Sequence, residues 1–395
     1  MKMTSESKVK WIIGLLLIGS AGCKRLYTPP AISAPNSYLV VEGVINTGSD
    51  SSIIRLSRTV PLSSQKGSTP ETGAIINIVS DANLSYPVFE KGNGYYISKP
   101  VNGNGQTKYS LKITTKSGEN YQSDFVSAVN SPPIDSVYYR VKGNSINIYL
   151  DTHDPISTSK YYRWDYTDTY IFHTGYHSIG KVAQAPKDTV IFRPLAEQIY
   201  QCWRSDTSTS ILLGSTAKLS QNVISEAPIL SIPSTSIKIS NRYTINVNQY
   251  GLTTDAYNYY RLLQQNTESI GTIFDPQPSQ STGNIHCLNN PAEVVIGYIT
   301  AGTPAKYRIF IDTHNLPAWL SDNPYSGCLL DTDYYHPGQG QNSIADFIYT
   351  GLDIPVNPIA PPMSPIIGWS GSSPFCVDCT LNGTNKRPNY WTDFQ

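Results

Sequence analysis

The chain has 395 residues; 29 Lys and Arg balance 29 Asp and Glu, and charged residues make up only 15% of it. That balance leaves no electrostatic footprint for nucleic acid or for a strongly acidic surface as partner. At this length the chain can bury one large core or two moderate ones, and two or three domains are expected.

The N-terminus reads as an export signal. Lys2, Lys8 and Lys10 are followed by the apolar run Trp11 to Ile18, too short for a transmembrane helix, and small residues Gly19 to Gly22 lead to Cys23. This resembles a bacterial lipobox, with Ser20 where Leu is usual, and implies acylation of the Cys23 thiol. Acyl chains worth about 0.8 kcal/mol per buried CH₂ would make the anchor stable. The other reading is an ordinary signal peptide with an incidental cysteine. Residues 1–22 are therefore expected as signal, and 23–35, with Pro29, Pro30 and Pro35, as lipidated cysteine and tether. No second apolar stretch approaches membrane-spanning length.

Short strand signals fill 36–130. Tyr38 to Ile45, Ser52 to Ser57 and Ile75 to Val79 are β-branched runs, and Lys108 to Thr114 alternates polar with apolar. Lys116 to Glu119 holds a turn glycine, Gly118, and Tyr121 to Phe125 runs back as the second arm of a hairpin. Strands at this spacing without helices predict a small β-sandwich.

Ser131-Pro132-Pro133 marks a boundary, and a second sandwich of immunoglobulin or fibronectin type is expected over 131–315. Its strands are read at Ser136 to Arg140, Ser145 to Asp151, Tyr161 to Tyr166 with Trp164 in the core, Arg242 to Asn248, and Lys306 to Ile311. One helical insert interrupts it at about 252–271. Thr253 or Thr254 supplies the cap, Ala256, Tyr259, Tyr260, Leu263, Thr267 and Ile270 recur at helical spacing, and Gly271 ends it. A shorter helical turn is expected near Leu195 to Trp203. From 316 to 395 the chain reads as a loop-rich segment packed on the second domain, because Pro355, Pro358, Pro361, Pro362 and Pro365 argue against regular structure.

Beyond Cys23 the cysteines are Cys202, Cys287, Cys328, Cys376 and Cys379. An exported chain can form disulfides, and an odd number leaves one thiol over. Cys376-Val377-Asp378-Cys379 has the spacing of a redox dithiol or half a zinc knuckle, but no second such pair exists; a structural bridge from Cys328 to one of the two is the preferred reading.

Several stretches resemble the Bacteroidota lipoprotein family catalogued as domain of unknown function 4249. They are Leu39 to Gly43 with Ile54 to Arg58, Pro133 to Tyr138, Tyr161 to Trp164, Cys202-Trp203-Arg204, Gly283 to Cys287, and Cys376 to Cys379 before Lys386 to Trp391. The resemblance spans the whole mature chain. It implies an outer-membrane lipoprotein whose relatives tend to be encoded beside TonB-dependent transporters, and no biochemical activity. Lys24 and Arg25 stand where surface-displayed members of that phylum carry acidic residues, which leaves the membrane face open between cell surface and periplasm. Ser136 and Thr189 fall in Asp-Ser-Val and Asp-Thr-Val triplets that resemble the phylum's O-glycosylation motif.

Catalytic and metal chemistry finds little foothold. His173 and His177 are four apart, but Gly175 and strand-like neighbours argue against a shared helix face. Asp151 with Asp154, and Asp331 with Asp333, could offer oxygens to calcium, and turn formation is the alternative for both pairs. No cofactor is expected. The 28 tyrosines offer more, since aromatic rings suit recognition of an oligosaccharide, a peptide or another protein. Tyr95, Tyr96, Tyr257, Tyr334, Tyr335 and Trp369 are the candidate contacts. The expectation is a non-enzymatic accessory or lid-like subunit of a TonB-dependent transporter; the alternative is a structural or adhesive surface lipoprotein.

Overall fold

The computed structural model describes residues 37–393 other than 62, 63, 65, 66, 104, 157, 158, 185–188 and 269–282. The signal 1–22, Cys23 and the tether lie outside the described residues, as do the expected helix end at Ile270 and Gly271 and the Asp188 of one triplet. What is described is mainly β, in several sheets.

The first unit is an 11-stranded sheet. Its alternating strands place Val41, Ile45, Ile54, Leu56, Ile76, Ile78, Leu111 and Ile113 in one core, while charged pairs such as Arg55 and Glu42, 3.2 Å apart across two strands, face out. The expected hairpin is present: Lys108–Thr114 pairs with Asn120–Ser123 across the turn at Gly118. The ends of the sheet meet. Val126–Ser127 joins Lys108–Thr114, Ala128 bridges Ala301, and the strand Thr300–Gly302 runs parallel to Leu39–Asn46.

That last contact corrects the expected boundaries. Residues 284–302 were expected inside the second domain, yet Ile285–Cys287 pairs with Asn120–Ser123 in the first sheet. Ile285, Val295, Ile299 and Ala301 enter the first core, so burial overrides sequence proximity. Two glycines make the return fit. Gly297 (φ +141°) and Gly302 (φ +155°) lie so close to the carbonyls of Val41 and Val129 that a Cβ would collide.

The second unit sets a three-stranded sheet (Ile134–Lys142, Ser145–His153, Val223–Pro233) against a five-stranded one (Gln201–Thr207, Tyr161–His173, Arg242–Leu252, Ala305–Asp312, with Leu212–Ser215 also on Tyr161–His173). Strict alternation along Ser145–His153 turns Ile146, Ile148 and Leu150 onto Tyr162, Trp164, Tyr243, Ile245 and Val247. The helix Thr254–Glu268 follows, with the Thr253 hydroxyl accepting from the Ala256 amide at 3.3 Å. Near Leu195 only a single 3₁₀ turn forms, Leu195–Glu197, and Gln201 onward is strand.

The C-terminal segment is not loop-like throughout. Asn342–Ser343, Asp331–Tyr334, Gly368–Ser372 and Ile354–Ile359 form a four-stranded sheet in that order. Pro355 and Pro358 sit on its last strand, where an edge position and a register shift between Pro355 and Asn357 spare the missing N–H groups. Two disulfides tie this segment down. Cys202 bonds Cys379 and Cys328 bonds Cys376, so each member of the Cys376/Cys379 pair bridges outward rather than to the other. Among the described residues Cys287 is the free thiol, buried inside the first core. Trp203 and Thr384 exchange backbone hydrogen bonds at 2.8 and 2.9 Å, and Trp391 packs edge-on against Trp203.

Candidate ligand-binding cleft

Between the two units lies an open cleft of about 320 Å³. Val40 to Gly43 and the returning Ile296 to Tyr298 form one wall, Arg163 to Asp165 and residues 208–211 the other, and the helix closes the end with Tyr259, Tyr260 and Leu263. Tyr259 and Leu263 share a helix face through their spacing of four, and the interstrand return brings Tyr298 to 5.2 Å from the Tyr259 ring. Gly297 lets the return run close against the Val41 backbone on the same wall.

Arg163 is the cleft's fixed cation. Its guanidinium sits 4.5 Å from the Tyr250 ring and 4.8 Å from the Tyr260 ring, between two aromatic faces. Its Nη2 reaches Asp165 Oδ2 at only 3.5 Å, and its Nε is buried with no hydrogen-bond partner. Burial alone would lower its pKa, but Tyr260, Asp165 and Tyr250 together raise it, so the charge persists. Asp165 is occupied: its Oδ1 accepts from the Asn248 amide at 2.7 Å. Burial pushes the Tyr259 hydroxyl up to about 12, so it remains a neutral donor. Clustered rings, a held guanidinium and Ser208, Thr209 and Ser210 at the rim suit a ligand with a flat apolar face and hydroxyl or carboxylate groups.

The residues singled out from sequence scatter. Tyr96 is fully buried on the strand Tyr95–Ser98, its hydroxyl donating to the Glu71 carbonyl at 3.0 Å, so alternation makes it a core residue rather than a contact. Trp369 is likewise buried, in the strand Gly368–Ser372. Tyr95 is exposed beside Arg55, and Tyr334 and Tyr335 belong to the C-terminal sheet region, with Tyr335 packed on its core. Tyr257 stacks on Tyr161 at 4.6 Å, away from the residues lining the cleft. Tyr259 and Tyr260 were legible only as helix periodicity; nothing local in the sequence signals that Arg163 meets Tyr260.

His173 and His177 both pack on the Tyr200 ring, and among the described residues no three His, Cys, Asp or Glu are grouped to hold a metal. Asp151 accepts from the Glu226 amide at 2.7 Å and Asp154 from the Ser159 amide at 2.9 Å, so both stabilise backbone. Asp331 and Asp333 lie on a strand, not in a turn. The Ser136 hydroxyl donates to Asp151 at 3.2 Å, whereas Thr189 is exposed.

The model of the domain of unknown function DUF4249 matches residues 24–308, spanning both units and the return between them. The chain belongs to the DUF4249 family. The match stops short of the C-terminal sheet, so the motifs from Cys376 to Trp391 lie outside the DUF4249 match, which is narrower than the resemblance read from the sequence. No curated protein matches the chain. Among solved structures, the adhesin InvE of Yersinia pseudotuberculosis is 15% identical over 54% of this chain and 55% of its own, with a TM-score of 0.16. The pullulanase of Anoxybacillus sp. LM18-11 is 9% identical over 53% of this chain and 24% of its own, at 0.15. The BSP domain of a biofilm-associated protein is 10% identical over 82% and 67%, also at 0.15. This DUF4249 chain thus spans about half of the adhesin and a quarter of the pullulanase, and likenesses this slight carry no weight for fold or function.

Proposed function

We propose that the protein is a Bacteroidota outer-membrane lipoprotein, anchored through Cys23, that acts without catalysis as an accessory or lid-like subunit of a TonB-dependent nutrient transporter. In this reading the first two units are tandem sandwiches of immunoglobulin or fibronectin type. The observation that carries the binding role is the cleft between them, where Arg163 is held between Tyr250 and Tyr260 beside Tyr259 and Tyr298. An oligosaccharide or a peptide fits that chemistry, since both offer flat faces and oxygen acceptors. The transporter as partner rests on the family resemblance and on the N-terminal sequence. A tether confines the cleft to the membrane plane, so modest intrinsic affinity for a membrane partner suffices.

Affinity capture of the tagged full-length protein from mild-detergent outer membranes tests the reading. The expected result is a stoichiometric TonB-dependent transporter, with Cys23→Ala lost from the membrane fraction. A solitary protein would overturn the transport role in favour of the structural or adhesive one, and a Cys23→Ala variant still held in the outer membrane would overturn the anchor.

A further inference from the structure

The C-terminal sheet, outside the cleft, holds a second site. Asp333 is completely buried, and neither of its carboxylate oxygens has a well-formed hydrogen bond; Asn342 is the donor nearest to making one. Asp353, also buried, has an unpartnered Oδ2. The two converge on Gly371: a Cβ there would stand 2.8 Å from Asp333 Oδ2 and 3.4 Å from Asp353 Oδ2. Asp331 lies two residues before Asp333, on the same strand face and exposed at the rim. Asn342 is the register partner of Asp333 on the parallel neighbour.

Buried carboxylates are ordinarily paired, hydrogen-bonded or coordinated to metal. Here Asn342, across the parallel strand pair, is a neutral side chain and supplies no countercharge to either acid. Any side chain at 371 would press on both carboxylates. We propose that Asp333 and Asp353 bind a divalent cation with calcium's preference for oxygen ligands, with Asp331 at the entrance. The donor set holds no imidazole or thiolate, which disfavours zinc and copper, and a site of two carboxylates completed by neutral oxygens and water suits calcium's loose coordination. The cation ties the strand Asp331–Tyr334 to the loop that carries Asp353.

Melting of the full-length protein in detergent, stripped with a chelator and titrated with calcium, tests the site. Calcium is expected to raise Tm by at least about 3 °C. The rise should vanish in Asp333→Asn, and in Gly371→Ala, which displaces both carboxylates and serves if the first variant folds poorly. Terbium gives an independent readout. Trp369 is the cross-strand partner of Asp333, so bound terbium should luminesce on excitation of its indole, be displaced by calcium, and lose that emission in Trp369→Phe while the calcium response persists. A Tm unmoved by calcium, with terbium dark, would overturn the proposal in favour of a proton shared by the two acids. An equal response in Asp333→Asn would overturn it as well.

Discussion

The Gln249 side chain accepts the indole N–H of Trp164 at 2.9 Å, wholly out of solvent. Its amide nitrogen then donates to the Pro132 carbonyl at 2.9 Å and to Thr152 Oγ1 at 3.1 Å. One side chain thus links both sheets of the second unit to the connector from the first. Gln249→Leu keeps the volume and orphans the indole N–H and the carbonyl. A loss of about 2–4 kcal/mol is expected in denaturant unfolding, since each buried unsatisfied group costs about 1–3 kcal/mol. Trp164→Phe in the Gln249→Leu background should add less than it does alone, because the orphaned indole N–H goes with it.

Adding a methyl at Gly297 or Gly302 should be far worse than at Gly118. All three have positive φ, but nothing lies within 4 Å of a Cβ at Gly118, whereas the other two meet backbone carbonyls. Gly118→Ala is expected to cost about 1 kcal/mol. Gly297→Ala and Gly302→Ala should each exceed that severalfold and expose Cys287 to thiol reagents, as a maleimide labelling assay would read.

The two disulfides should differ in worth. Cys202–Cys379 closes a separation of 177 residues and Cys328–Cys376 one of 48. On chain entropy alone the longer bridge stabilises by about 1 kcal/mol more. Paired Cys→Ser variants, compared by urea unfolding, check the order.

Burial and the nearby Asp353 and Asp331 carboxylates push Asp333 up to about 6. In the folded, metal-free protein this acid keeps its proton where the unfolded chain has already lost it. Stability is therefore greatest below the ordinary carboxylate range, falls as pH rises through it to about 6, and stays lower beyond. Melting in chelator across that window should show the decline, and Asp333→Asn should flatten it.

Arg163→Met keeps the aliphatic stem but deletes the charge between two rings. Cation–π contacts of this kind contribute about 0.5–2 kcal/mol each, so a loss of about 1–3 kcal/mol is expected. Whatever partner is captured from membranes should be retained less well by this variant than by Tyr257→Ala, which disturbs only the Tyr161 stack outside the cleft.

The individual strands were plain in the sequence wherever one face is buried and the other is wet. Ser145–His153 and Lys108–Thr114 declare themselves by alternation, and the helix by its cap and spacing. What escaped was partnership across long separations. Ile285–Cys287 is too short to announce which sheet it joins, and its pairing with Asn120–Ser123 depends on a core already built. The prolines at 355 and 358 misled because their cost depends on edge or centre, a property of the sheet and not of the residue. The cleft suffered likewise: Arg163, Tyr260 and Tyr298 come from a strand, a helix and a return loop, and no spacing rule joins them.

The return through 284–302 also sets an order of events. The first unit lacks two of its strands until Gly302 has been made, and the second lacks its edge until Asp312. As the chain emerges from a ribosome or an export channel, neither unit can close early, and both are completed almost together. A product stopped at Glu268 would leave two open sheets rather than one finished domain. The protein is accordingly expected to fold late, as a single event.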